Sequence, residues 1–335
     1  MRATAWIPVL VAVLVSPATQ TAAPQERQGI APADSVEPYR AFLRKLPVAK
    51  KESILVARDE LLKYLSGSDR CGEDVSCAQK VFEAFCKFYV RIIAAGNAPL
   101  EENRAAQDLL MVLGGGGLER PLTRIEGDRA TALRKASAET RPTLRQLFAY
   151  RDCGLDFTQG EGIWYLRPDP DWIIALAAHL PAGEYRDYII FDAHESRERL
   201  EEDGGFQVPR DTLRLKLVRW DTFIRTHPNV ARTEKLRVSA DRIAGWYIVG
   251  LPNTQAFESS SPSEPRVLVP ELRESFARFL AANQDCSYYP LISGLWKQVK
   301  ASNFRPTEAV VAYLEKQTAS SPELRRWVAD LRGPR

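Results

Sequence analysis

The chain has 335 residues, 45% of them hydrophobic, and its 46 basic against 43 acidic side chains leave a formal charge of +3. That length suffices for one large or two ordinary domains. Lys and Arg are scattered without a long run, which gives no support to a dedicated nucleic-acid surface, and cysteine is too sparse for a disulfide scaffold.

The first eighteen residues, MRATAWIPVLVAVLVSPA, place one arginine before a short apolar run and small residues after it. This is the layout of a secretory signal peptide over 1–18, too short to span a bilayer as a mature helix. Residues 19–34 lack periodicity and read as a flexible tether. No later segment approaches the length of a membrane span. The expectation is an exported protein of the periplasm or exterior, with no membrane span in the mature chain. Export permits disulfides. Cys71 and Cys77 bracket a short polar turn and are the easiest of the five cysteines to join.

Helical patterns run from Ser35 to the end. Residues 35–150 form an N-terminal helical block and 151–335 a C-terminal one. Ser35 is placed to cap VEPYRAFLRKL, which Pro47 ends. KKESILVARDELLKYL follows. Ser76 is placed to cap a helix in which Val81, Phe85, Phe88, Tyr89 and Ile92 recur at helical spacing. Pro99 opens another. Gly114-Gly115-Gly116-Gly117 is followed by Leu118-Glu119, not the Lys-Ser/Thr of a phosphate cradle, and reads as a break. A helix over 129–150 is expected to bend at Pro142. Further helices are read near 170–180, 184–202, 209–226, 230–249, 270–282, 287–301, 307–317 and 322–332. Pro170, Pro209, Pro270 and Pro322 suit first turns, and Asp169, Asp285, Thr307 and Ser321 suit caps.

One stretch departs from this pattern. In DCGLDFTQGEGIWYLRPDPDW, two β-prone runs flank Gln159-Gly160-Glu161-Gly162 and read as a β-hairpin near 155–166. Two readings of it stand side by side. Every oddity has a backbone reason, the glycines for the turn and Asp169-Pro170 for the next helix start. Alternatively, Glu161 is an acid or ligand at the tip, with Trp164, Tyr165, Trp172 and Arg167 as a platform for a sugar or peptide. The fold class is all-α, stacked helical hairpins with this one small β-hairpin insert.

An internal repeat supports the hairpins. WDTFIRTHPNVAR from Trp220 and FARFLAANQDCSY from Phe276 align without gaps at an offset of 56 residues, and YRAFLRKLPVAK from Tyr39 is a fainter copy. Aromatic, Phe and aliphatic residues at i, i+3 and i+4 make one apolar stripe, a turn stops the helix, and the next helix covers the stripe. Trp220, Phe223, Ile224, His227, Pro228, Asn229 and Ala231 resemble the helix end and turn of tetratricopeptide-like repeats of exported bacterial proteins. The resemblance covers about a third of the chain, with a spacing unlike the 34 residues of that repeat. It implies a binding scaffold, not a chemistry.

The chemical signals are thin. His179, His194 and His227 fall on three helices, and Asp192-Ala193-His194-Glu195 does not complete HExxH, so neither metal nor cofactor is expected. The enzymatic alternative is a peptidoglycan-cleaving lytic transglycosylase-like protein. The run from Tyr188 to Ser196 resembles the helix of that family that carries its catalytic glutamate, with Glu195 as general acid. Against it, that family's later motifs are missing and Glu195 sits among charged neighbours. The reading favoured by the sequence is a non-catalytic protein-binding or scaffolding module with a protein or cell-envelope partner.

Overall fold

The computed structural model describes residues 36–66, 70–71, 74–114, 129–160, 162–230, 232–261, 263–329 and 331, without the side chains of 112–114 and 130–132. The signal-peptide and tether readings, Ser35, Glu161 and most of the glycine run lie outside the described residues. Fourteen α-helices and four two-stranded antiparallel sheets are present among the described residues. The chain is therefore mostly helical, but with four small ribbons where the sequence suggested one. It divides into two compact units, residues up to Glu198 and residues from Arg199. No helix among the described residues is long and apolar enough to cross a membrane.

Unit 1 contains α1 (Glu37–Lys45), α2 (Ser53–Ser66), α3 (Val75–Glu102), α4 (Arg104–Gly114), α5 (Arg129–Lys135), α6 (Arg141–Asp152), the hairpin β1 (Leu155–Gly160) and β2 (Ile163–Pro168), α7 (Pro170–Ala177) and α8 (Glu184–Glu195). Its core is built on α3, which buries Val81, Phe82, Phe85, Phe88, Tyr89 and Ile92. The cap of α3 is Asp74 rather than Ser76. Asp74 Oδ1 accepts from the backbone N–H of Ser76 at 2.9 Å and of Cys77 at 3.0 Å, so Ser76 is already inside the first turn. Cys71 and Cys77 on either side of this cap are joined by a disulfide, with Cα atoms 5.2 Å apart. Cys86, Cys153 and Cys286 are buried thiols.

Pro99 does not open a helix, because α3 runs through it. A single proline removes one ladder bond, and the packed turns on either side keep the helix in register. The start signal is Asn103, whose Oδ1 accepts from Ala106 N at 3.0 Å. Likewise 129–150 is two helices, not one bent at Pro142. Arg141 donates to the carbonyls of Leu133 and Ala136 at the end of α5, and Pro142 occupies the first turn of α6.

Unit 2 contains β3 (Glu201–Glu202), β4 (Gly205–Phe206), α9 (Arg210–Thr226), α10 (Thr233–Val249), β5 (Gly250–Leu251), β6 (Thr254–Gln255), β7 (Phe257–Glu258), β8 (Val267–Leu268), α11 (Pro270–Ala282), α12 (Tyr289–Ala301), α13 (Glu308–Gln317) and α14 (Pro322–Ala329). The helix read over 184–202 stops at Glu195, and 201–206 is a ribbon. Its two-residue turn, Asp203-Gly204, has positive φ at both positions (48° and 70°), the geometry for which Asp-Gly is suited. The turn tip docks on the next ribbon, where Asn253 N donates to Gly204 O at 2.8 Å and Phe206 N to Thr254 Oγ1 at 3.0 Å.

The 56-residue offset is carried through the backbone. Helices α9 and α11 end at Thr226 and Ala282, and α10 and α12 begin at Thr233 and Tyr289. His227 N bonds Phe223 O at 3.0 Å, and Asn283 N bonds Phe279 O at 2.9 Å. Val230 N to His227 O is matched by Cys286 N to Asn283 O, and Thr233 N to Val230 O by Tyr289 N to Cys286 O. Trp220, Phe223, Phe276 and Phe279 are all buried. The faint copy departs from this pattern. In α1, Tyr39 and Leu43 are buried, Phe42 only half so, and Leu46 N bonds Leu43 O, a tighter end. Asp285 is not a cap; Tyr288 takes that place and Asp285 pairs with Arg225 at 3.0 Å.

The later helices close a circuit. Neighbouring pairs are α9 with α10 and α11, α11 with α12, α12 with α13, α13 with α14, and α14 with α10. At the last contact Gly245 leaves no room for more. A Cβ there would lie 2.5 Å from Trp327 Cδ1. Trp246 and Trp327 meet edge to face at 6.1 Å, and Arg242 Nε bonds Glu323 at 3.1 Å. Gly245→Val is expected to destabilise unit 2 by ~1–3 kcal/mol through overpacking, read as a lower urea midpoint with unchanged slope.

A partly buried polar chain ties α9 to α11 and α10. Asp211 accepts from Arg214 Nε and Nη2 at 2.8 and 2.9 Å and from Ser275 Oγ at 2.7 Å, and Ser275 bonds Tyr247 OH at 2.9 Å. The Arg214 hydrogen bonds hold the Asp211 carboxyl well below its ordinary value of 3.8, with Ser275 and Arg278 adding to them against the opposing effect of burial. A carboxyl depressed in the folded state adds stability that is complete above its unfolded value and is lost as pH falls below it. The stability gap between the wild type and Asp211→Asn is therefore expected to stay constant from neutral pH down to about pH 5 and to close below about pH 4, followed by urea unfolding across that range.

Candidate functional site: the β1–β2 hairpin

The hairpin pairs Leu155 with Pro168 through Gly160 with Ile163. Gly162 has φ +80° and nothing within 4 Å of a Cβ, so its glycine serves the turn itself. The antiparallel register puts Tyr165 and Arg167 on one face and Trp164 and Leu166 on the other, because side chains alternate along a strand. Trp164 and Tyr165 thus cannot form one platform.

The Trp164 edge is completed by helices. Gln107 Nε2 donates to Trp164 O at 3.0 Å, while Gln107 Oε1 accepts from Trp164 N at 2.8 Å. Asn97 Oδ1 accepts from Leu166 N at 2.6 Å. Leu166 then packs where Gly96 of α3 has no side chain; a Cβ would lie 2.7 Å from Leu166 Cδ1. The indole Nε1 of Trp164 is buried with no hydrogen-bond partner among the described residues.

On the opposite face Arg167 is committed inward. Its Nε and Nη2 donate to Asp156 Oδ2 at 3.2 and 2.9 Å, and its Nη1 donates to Ser196 O at 3.3 Å. Asp156 is 5% exposed and its Oδ1 has no partner of its own among the described residues. Burial raises the nearby Asp169 carboxyl above its usual range, while the backbone N–H groups of Asp171 and Trp172 that it caps pull the other way. Trp172 is half-buried and packs on an aromatic cluster of α3. Its ring centroid lies 5.9 Å from Phe85 and 5.5 Å from Tyr89, and it covers Gly154, where a Cβ would be 2.4 Å from the indole. Tyr89 OH donates to Gly154 O, fixing the entry of β1. The residues grouped by the sequence therefore lie in three environments: Trp164 against α4, Tyr165 and Arg167 on the opposite strand face, and Trp172 on α3. Glu161 lies outside the described residues.

Other sequence candidates are dispersed. Glu195 ends α8, and the hydroxyl of Ser196 beside it donates to Ala193 O at 2.8 Å. His179 and His194 are exposed, and His227 stacks on Phe223 at 4.1 Å. Among the described residues no three of His, Cys, Asp and Glu gather as a cation would need. Sequence reading missed Gln107, Asn97 and the buried Arg210. Arg210 Nη2 donates to Gln255 O at 2.6 Å and its Nη1 is buried without a partner among the described residues. Burial lowers this guanidinium's pKa, countered by Glu258 and Glu271. Only long-range pairing reveals these roles.

Comparison with family models, with curated proteins and with solved structures finds no match for the chain.

Asn97→Ala leaves the Leu166 N–H without its partner and is expected to cost ~1–3 kcal/mol. Trp172→Ala is expected to cost ~1–3 kcal/mol, less than a fully buried aromatic because the indole is half-buried. Loss of a surface platform residue would leave the denaturation midpoint unmoved, so chemical unfolding of the two variants separates core from platform.

Proposed function

We propose that the chain is an exported, non-catalytic binding or scaffolding module of helical hairpins, working in the periplasm or outside the cell on a protein or cell-envelope partner. The observation that carries this reading is the doubled helix-end turn. One backbone solution, Phe carbonyl to cap N–H and then two linked turns, is built at Phe223–Val230 and again 56 residues on. Repetition of one local hairpin is the signature of chains that present surface rather than assemble a reaction centre. Tetratricopeptide-like stacking of these hairpins is part of the same proposal.

The signal-like N-terminus supports export, and the Cys71–Cys77 disulfide fits an oxidising compartment. The inward commitment of Arg167 and the separation of Trp164, Tyr165 and Trp172 favour a structural role for the hairpin.

Two experiments test the proposal. Residues 1–34 fused to alkaline phosphatase should yield active enzyme; an inactive fusion would overturn export. The chain without residues 1–18, immobilised and exposed to a cell-envelope protein fraction, should retain protein saturably. It should release no soluble fragments from purified peptidoglycan, with or without Glu195→Gln. Peptidoglycan release that vanishes in Glu195→Gln would replace the scaffold reading with the transglycosylase one.

A further inference from the structure

Unit 2 carries a basic patch that no single stretch of sequence displays. Trp296 of α12 and Phe304 in the turn after it lie 5.7 Å apart. Asn303 and Phe304 both take positive φ, 53° and 61°, a backbone that a bulky residue rarely adopts. The turn is pinned there by Phe304 N donating to Val299 O at 2.6 Å and Phe304 O accepting from Leu268 N at 2.7 Å. Each ring carries a cation. Arg273 of α11 lies over Phe304 at 4.2 Å and Lys300 over Trp296 at 5.8 Å. Lys297, one turn before Lys300, and Arg305, next to Phe304, are exposed.

These four cations gather about two adjoining rings, and like Arg237, Arg266, Lys316, Arg325 and Arg326 of the same unit they have no acid among the described residues to neutralise them. Among the described residues Arg273, Lys297, Lys300 and Arg305 have no carboxylate within ion-pair distance, whereas Arg210, Arg214, Arg225, Arg242 and Arg278 of the same unit all do. The two glutamates flanking Arg273 on α11 are turned elsewhere. Glu271 takes the Arg210 N–H at 2.8 Å, and Glu274 pairs with Arg278 at 3.6 Å. Stacking on a ring restricts a flexible cation without neutralising it. An anion arriving at Arg273 or Lys300 therefore meets a head group already positioned, and less side-chain entropy is lost on binding.

We infer that the Trp296–Phe304 patch with Arg273, Lys297, Lys300 and Arg305 is a docking surface for an acidic, carboxylate-rich segment of a partner protein. Arg273 favours carboxylates. Its Nε is used on Leu268 O at 2.7 Å, which leaves the guanidinium's two outer nitrogens to form the end-on fork that Arg129 makes with Asp152. Both rings are half-buried and capped by cations, so they offer little to insert into a lipid surface. Aromatic and arginine side chains side by side are the usual anchors of protein interfaces. The inference gives a partner chemistry to the binding role proposed above and rests on that reading.

The test titrates the chain without residues 1–18 with a deca-glutamate peptide at low ionic strength, followed by calorimetry. Saturable binding that weakens with added salt is expected. Lys297→Glu/Lys300→Glu should weaken it at least tenfold. The charge-matched Lys80→Glu/Lys87→Glu, exposed positions on α3, should change it less than twofold. Far-UV circular dichroism and the unfolding midpoint should be unchanged in both. Equal losses in the two double variants would mean attraction to net charge alone and would overturn the site. So would the absence of deca-glutamate binding, or binding instead to phosphatidylglycerol vesicles that only Lys297→Glu/Lys300→Glu abolishes. Retention of an envelope protein by Lys297→Glu/Lys300→Glu, unchanged from wild type, would overturn this surface while leaving the scaffold reading intact.

Discussion

The carboxamide of Gln107 meets the N–H and carbonyl of Trp164 as a neighbouring strand would, and Asn97 does half of the same for Leu166. A two-stranded ribbon has unpaired backbone on both outer edges, and unpaired backbone cannot be buried cheaply. Two amide side chains, 57 and 69 residues away along the chain, solve this on the edge that faces the helices. The rest of unit 1 follows from that solution. Helix α3 runs long enough to carry Asn97 beyond its aromatic core, and it continues through Pro99 to Glu102. Gly96 must lack a side chain so that Leu166 can settle beside Asn97's bond. Trp172 then closes over Gly154, where the chain leaves α6 for β1.

Unit 2 uses a different economy of means. Its long helices end in one repeated turn, and its ribbons are two residues per strand, too short to hold themselves. They persist by docking on each other and on helix ends, with Asn253 on Gly204, Thr254 on Phe206, and Leu268 on Phe304. Arg210 ties the ensemble to α9 through Gln255 and Glu271.

Local chemistry makes much of this legible in the sequence. The helical class followed from the period of apolar residues, and the hairpin from glycine between β-prone runs. The repeat followed from Trp220 and Phe276, and Asp169 could be seen as a cap because capping is a contact between residues two or three apart. What stayed hidden was long-range or competitive. Asp74 and Ser76 are both good caps, and only the fold decides between them. Pro99 carries a start signal that packing overrides. Asp203-Gly204 carries a hairpin-turn signal that the sequence reading passes over by running a helix to 202. At the candidate site, adjacency in sequence suggested a platform of Trp164, Tyr165 and Trp172. Strand alternation alone separates the first two, and the third is claimed by Phe85 and Tyr89, partners no local pattern names. The basic patch was invisible because Arg273 and Lys300 come from different helices.

The Cys71–Cys77 bridge encloses Asp74, the residue that starts α3, and Asp74 N itself bonds Cys71 O at 2.8 Å. Starting a helix is its least favourable step, since several residues must be ordered before the first turn returns a bond. A covalent loop of this size confines those residues even in the unfolded chain. Thiol oxidation thus acts as a nucleation device for the longest helix among the described residues. The aromatic core, the β2 edge and Trp172 all lean on that helix, so the redox poise of the surroundings is written into how readily unit 1 begins to fold.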